Sequence, residues 1–225
     1  MTEVPRPGFV IALLGAECTG KTTLAQALHR ALASPTCRVA LVAEYLREFC
    51  DLHGRTPRRD EQHEIADEQT RRIDAAAREH DLVIADTTAL MIAVYSDQVF
   101  GDTGLYAPAE AAHARCDLTL LTALDLPWQA DGLQRDGPQV REPVDAKVRA
   151  ALARAGCGYS VIFGSGTARL EAAHACVQRA LLAHAVGTSP AADASDASDA
   201  ATPWHWRCER CGDPGCERLR RLPRL

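Results

Sequence analysis

Eight consecutive residues carry the clearest chemical signal in this chain. Gly15, Ala16, Glu17, Cys18, Thr19, Gly20, Lys21 and Thr22 fit G-x-x-x-x-G-K-[ST] in full. That spacing suits a loop whose backbone amides wrap phosphate oxygens. Glycines permit the close approach, and the helix that follows aims its positive dipole end at the anion. Lys21 supplies a compact mobile cation, and the Thr22 hydroxyl suits Mg²⁺. Cys18 is read as a passive small residue in the loop, not as a reactive thiol.

Phosphoryl transfer also needs groups that orient the acceptor and neutralise charge. Three carboxylates follow strand-like runs: Glu44 after Arg38–Ala43, Asp86 after Leu82–Ala85, and Asp125 after Asp117–Thr122. Asp86 has the look of a Mg²⁺ or water contact, and Glu44 that of a group receiving an acceptor hydroxyl. Either one suits the role of base. Residues 127–141 are rich in Gly, Pro, Asp and Arg. They have the position of a lid, from which Arg135 and Arg141 would reach a transferring phosphoryl group.

A separate cluster lies near the end of the chain. Cys208, Cys211 and Cys216, with His205 three residues before the first, have the ligand types of a Cys3His zinc knuckle. The competing reading is a basic tail with incidental thiols. A knuckle there would dock onto a protein partner, onto the lid or onto a second copy of the chain.

The elements that must position these groups follow from periodicity. Short apolar runs alternate with helical patterns from Phe9 to about His184. Strands are expected at Phe9–Leu14, Arg38–Ala43, Leu82–Ala85, Asp117–Thr122 and Tyr159–Phe163. Helices are expected at Thr22–Leu32, Asp60–His80 with Asp60 as cap, Ala89–Phe100, Val144–Ala155 and Thr167–Ala185. Such alternation predicts an α/β three-layer sandwich on a parallel sheet of about five strands, with ligands at the carboxyl ends of the strands. The expected organisation is a domain over 1–186, a linker of Ala, Ser and Asp over 187–203, and a Cys- and Arg-rich segment over 204–225.

Composition sets the bounds. The chain has 225 residues, 47% of them hydrophobic and 24% charged, as in ordinary globular domains. A net charge of -5 and no nucleic-acid fold signature argue against a nucleic-acid binder. Nine cysteines, an odd and scattered set without a secretory pattern, point to a reducing compartment, the cytoplasm. Phe9–Leu14 is too short to span a membrane.

Taken together, several stretches resemble one family. They are Gly15–Thr22, Val42-Ala43-Glu44-Tyr45-Leu46-Arg47-Glu48-Phe49, Ile65-Ala66-Asp67-Glu68-Gln69, Asp86-Thr87-Thr88 and Asp125-Leu126-Pro127-Trp128-Gln129-Ala130-Asp131-Gly132. The set is similar to the kinase domain of the NadR family, the ribosylnicotinamide kinases. The resemblance implies a P-loop kinase that uses ATP and Mg²⁺ to phosphorylate the 5′-hydroxyl of nicotinamide riboside, a step of NAD biosynthesis by salvage. It implies that Gly15 to Thr23 hold ATP, and that Glu44, Arg47 and Gln69 face the riboside. Asp86 would serve metal or acceptor, and Trp128, Asp131 and the following arginines would form the lid. Three departures stand out. Eight residues precede the first strand, where relatives carry an adenylyltransferase domain. Gln134 stands where a lid arginine is usual, and Ala43 where some members place an aromatic ring.

Overall fold

The computed structural model describes residues 8–128 and 137–187. Its sheet is built from apolar runs buried on both faces, the pattern of parallel strands. β1 (Phe9–Leu14) is wholly buried and lies at the centre of five parallel strands in the order β2-β3-β1-β4-β5. The others are β2 (Val39–Val42), β3 (Leu82–Asp86), β4 (Leu118–Thr122) and β5 (Ser160–Ile162). The register sets Leu13 of β1 against Asp86 of β3 and against Leu120 of β4. The ends of β1, β3 and β4 therefore open at one edge of the sheet.

Period-two alternation divides the core between two helical layers. Ile11 and Leu13 pack with Leu24 and Leu28 of α1 (Lys21–Leu32) and with Ala173 and Val177 of α7 (Gly166–Gly187). Val10 packs with Ile73 and Ala77 of α3 (Gln62–Glu79). Leu14 joins a second cluster with Leu90 of α4 (Ala89–Phe100) and Val144 and Val148 of α6 (Arg141–Arg154). Each fully buried aliphatic side chain contributes about 1.5–3 kcal/mol. The expected α/β three-layer sandwich with five parallel strands is the architecture found.

The differences from the sequence expectation are local. Two helices had no predicted counterpart: α2 (Tyr45–His53) and α5 (Tyr106–His113). Asp60 is not a helix cap. It lies inside a 3-10 turn, Arg59–Glu61, whose Glu61 carboxylate accepts the Arg58 N–H at 2.7 Å. α6 begins at Arg141, three residues before the expected Val144, so Arg141 is a helical residue. Among the described residues, no helix is long and apolar enough to cross a membrane. The linker at 188–203 and the segment 204–225, with His205, Cys208, Cys211 and Cys216, lie outside the described residues, as do Asp131 and Arg135.

Candidate functional site

The phosphate loop links β1 to α1, and its conformation is locked from behind. Gly15, Cys18 and Gly20 have φ of 149°, 54° and 75°. A Cβ at Gly15 would lie 2.1 Å from the Thr122 hydroxyl, so no side chain fits there. Thr19 is fully buried and donates to the Ala16 carbonyl at 2.7 Å, while the Thr122 hydroxyl donates to Thr19 at 2.7 Å. Arg169, 4% exposed, donates through Nη2 to the Thr19 carbonyl at 2.9 Å and through Nη1 to the Gly164 carbonyl at 2.6 Å. α1 then starts at Gly20 with no side-chain cap, which leaves its first amides for a ligand.

Lys21 reaches back into the loop. Its ammonium donates to the Gly15 and Ala16 carbonyls at 2.8 and 2.9 Å. An ammonium has three donors, so this geometry uses two of them. Thr22 is half-buried on the first turn of α1 and Thr23 is exposed. Glu17 has a buried carboxylate oxygen with no hydrogen-bond partner.

Glu44, two residues past β2, and Asp86 of β3 lie at the same end of the sheet as the loop. Glu44 occupies the cap position of α2, yet its side chain makes no capping bond. Its side chain is 11% exposed and lies 3.4 Å from Arg47 Nη2. Burial pushes the Glu44 carboxyl above its ordinary range; Lys21 pulls it back, Asp86 pushes it up further, and Arg47 pulls it back. Glu44 thus lies within electrostatic reach of both Lys21 and Asp86. Asp86 is the last residue of β3 and 3% exposed, and its Oδ1 is buried with no partner. Thr87 has a left-handed φ of 77° and its hydroxyl is likewise buried without a partner. A carboxylate oxygen orphaned in this way fits a cation, and Asp86 with Thr22 has the hard-oxygen donor chemistry that Mg²⁺ takes.

Three of the expected residues are bonded to other parts of the fold. Asp125 does not point at the site. Its carboxylate accepts the Gly164 N–H and an Arg169 N–H, which ties the segment after β4 to the start of α7. Gln69 is fully buried and touches backbone at both ends: its Oε1 accepts the Tyr45 N–H at 2.7 Å and its Nε2 donates to the Thr87 carbonyl at 3.4 Å. It therefore supports the site and is closed to a substrate. Arg141 is 8% exposed at the start of α6, where Nη1 donates to the Leu126 carbonyl at 2.9 Å. Its Nε and Nη2 are buried without partners, as is the indole N–H of the half-buried Trp128. These donors suit an acceptor-rich ligand.

Sequence reasoning missed Thr122, Arg169 and His113. His113 is 1% exposed and lies 3.0 Å from both the Thr88 and Thr119 hydroxyls. Burial pushes its imidazole down to about 4. No motif marks these three positions, because each has a decisive partner well away in sequence: Thr19 for Thr122 and Arg169, and Thr88 for His113.

A parallel five-stranded sheet with this loop and these strand-end carboxylates defines a P-loop nucleotide-binding fold of the kinase-like kind. An AAA domain model matches residues 10–169, and the chain belongs to that family. Among solved structures it is similar to NadR protein in complex with NAD and AMP-PNP, with a TM-score of 0.62, 20% identity and coverage of 76% of this chain and 49% of that one. NadR protein in complex with NR gives a TM-score of 0.63 at 20% identity, covering 76% of this chain and 50% of that one. The chain thus spans about half the length of these NadR structures. Deoxyadenosine kinase from M. mycoides with products dCMP and dCDP matches with a TM-score of 0.54 and 12% identity, over 76% of this chain and 100% of that one. No curated protein matches the sequence.

Proposed function

We propose that this chain is an ATP-dependent small-molecule kinase that transfers a phosphoryl group to the 5′-hydroxyl of a nucleoside, with nicotinamide riboside the first candidate. The observation that carries this reading is geometric: the phosphate loop, with Lys21 bonded to the Gly15 and Ala16 carbonyls, lies at the same end of the sheet as the buried carboxyl groups of Glu44 and Asp86. The similarity to NadR in complex with NR supports the choice of riboside.

In this reading the loop amides and Lys21 hold the nucleotide phosphates. Thr22 and Asp86 would hold Mg²⁺, which when bound neutralises charge on the transferring group. Glu44, kept above its ordinary range, is suited to take the proton of the acceptor hydroxyl. Arg47 beside it orients the acceptor, and Arg141 offers unpaired donors to the transferring phosphoryl group.

The test is ATP consumption with a panel of nicotinamide riboside, cytidine, adenosine and deoxyadenosine, with Lys21→Ala as control. Turnover with nicotinamide riboside alone is expected. Turnover restricted to a deoxynucleoside would favour the second reading, in which the same machinery serves another base; the similarity over the whole of the deoxyadenosine kinase chain favours that one. No turnover of any member rejects the kinase reading.

A further inference from the structure

The Asp86-Thr87-Thr88 turn holds a conformation its sequence disfavours. Thr87 is β-branched and sits at φ 77°, in the left-handed region. Strain of this kind persists where the surroundings over-determine it. Here the Thr87 N–H donates to the Leu13 carbonyl at 3.1 Å, and the Gln69 amide donates to the Thr87 carbonyl at 3.4 Å. On the far side, the Thr88 hydroxyl accepts the Leu90 N–H at 3.3 Å and meets His113 at 3.0 Å.

The other end of the same Gln69 side chain accepts the N–H of Tyr45, the residue that follows Glu44. One fully buried carboxamide therefore spans the two turns that carry the two acidic groups of the site. The demands at its ends are opposite: a backbone N–H on one side and a backbone C=O on the other. A carboxamide meets both, an ionised carboxylate meets only the first, and an alkyl chain meets neither. The α2 end is braced further, because the Arg72 guanidinium lies 4.3 Å over the Tyr45 ring.

We infer that Gln69 is a positioning residue for phosphoryl transfer, whose carboxamide fixes Glu44 relative to Asp86. The inference rests on the kinase reading for its catalytic consequence, while the clamp itself is a property of the fold. Gln69 acts through Glu44, so its loss should matter only while Glu44 is present.

The experiment is a double-mutant cycle with ATP and the nucleoside that turns over, joined to amide hydrogen exchange. Gln69→Leu is expected to lower kcat at least tenfold with KM for ATP within twofold. In a Glu44→Gln background the same change is expected to cost less than twofold. An equal loss in both backgrounds overturns the inference, and so does a rise in acceptor KM at unchanged kcat, which would make Gln69 a substrate contact. Exchange at the Tyr45 amide should quicken at least tenfold in Gln69→Leu and stay slow in Gln69→Glu, which keeps the acceptor end. Unchanged exchange in Gln69→Leu overturns the clamp whether or not the wild-type chain phosphorylates anything. If Gln69→Leu does not fold, Gln69→Met carries the test: kcat must fall and Tyr45 exchange must quicken, and wild-type kcat with a protected Tyr45 overturns the inference.

Discussion

The two halves of the site differ in how far their buried polar groups are satisfied. On the nucleotide side, Thr19, Thr122 and Arg169 close a network of buried hydrogen bonds around the loop, with the Glu17 Oε2 and Arg169 Nε left unpaired, and Lys21 is held by the carbonyls of that loop. On the acceptor side, Asp86, Thr87 and Arg141 keep buried polar atoms without partners, and Glu44 is buried at a cost to its charged form. A satisfied network rigidifies, whereas an unsatisfied buried group costs stability until something pairs with it. The loop is thus a preformed mould for a shape shared by many nucleotides. The strand ends give up stability through unpaired buried groups, and in the proposed reading that is where selectivity would reside.

Mutations can break this contrast. The largest effect is expected at Lys21, where Ala should lower turnover about 10³-fold or more with little change in melting temperature, as steady-state kinetics and calorimetry would show. Next is Glu44→Gln, expected to lower kcat by about 10²–10⁴-fold. It should also raise the melting temperature, because a carboxylate that resists burial is replaced by a neutral isostere. A drop in melting temperature there would erase the contrast. Arg169→Met should act the other way, removing about 4 kcal/mol of stability and weakening nucleotide binding, read by denaturant unfolding and ATP titration.

A pH titration sharpens the same comparison from beneath the acceptor side. The His113 imidazole falls from its ordinary 6.5 to about 4 in the folded chain because it is buried. Its folded value is the lower one, so the unfolded chain binds more protons between the two values. Its contribution is intact above pH 6.5 and is lost as pH falls from there toward 4, by about 3 kcal/mol in all. His113→Gln should flatten that limb in unfolding measurements across pH 4–7. The smallest effect is expected at Cys18, whose φ of 54° is left-handed. Cys18→Gly should add about 1 kcal/mol of stability and leave nucleotide affinity within a few-fold, because the loop shape is already set by its neighbours.

The sheet and the loop were legible because their signals are local. Phe9–Leu14 is one apolar run, and the glycine-lysine spacing occupies eight adjacent positions. α5 escaped because it has eight residues, is rich in alanine and carries Pro108, so it offers no long stripe. α2 escaped because its pattern is broken: Phe49 and Cys50 are buried while Leu52 is 79% exposed. Glu44 and Asp86 stood out by following strands. Asp125 did so too, yet it serves the fold, since nothing in its neighbours announces a partner 44 positions away. The roles of Gln69 and Arg169 likewise depend on which backbone atoms tertiary folding brings to them.

The Arg169 tie has a consequence for how the molecule comes into being. It joins the loop at Thr19 to a helix 150 residues further along. The loop segment is thus synthesised 150 residues ahead of this partner, and that hydrogen bond waits until nearly the whole domain has been made. A chain cut short of Arg169 carries the motif without that bond, so in the proposed reading nucleotide binding is expected to reach full strength only once the domain is complete.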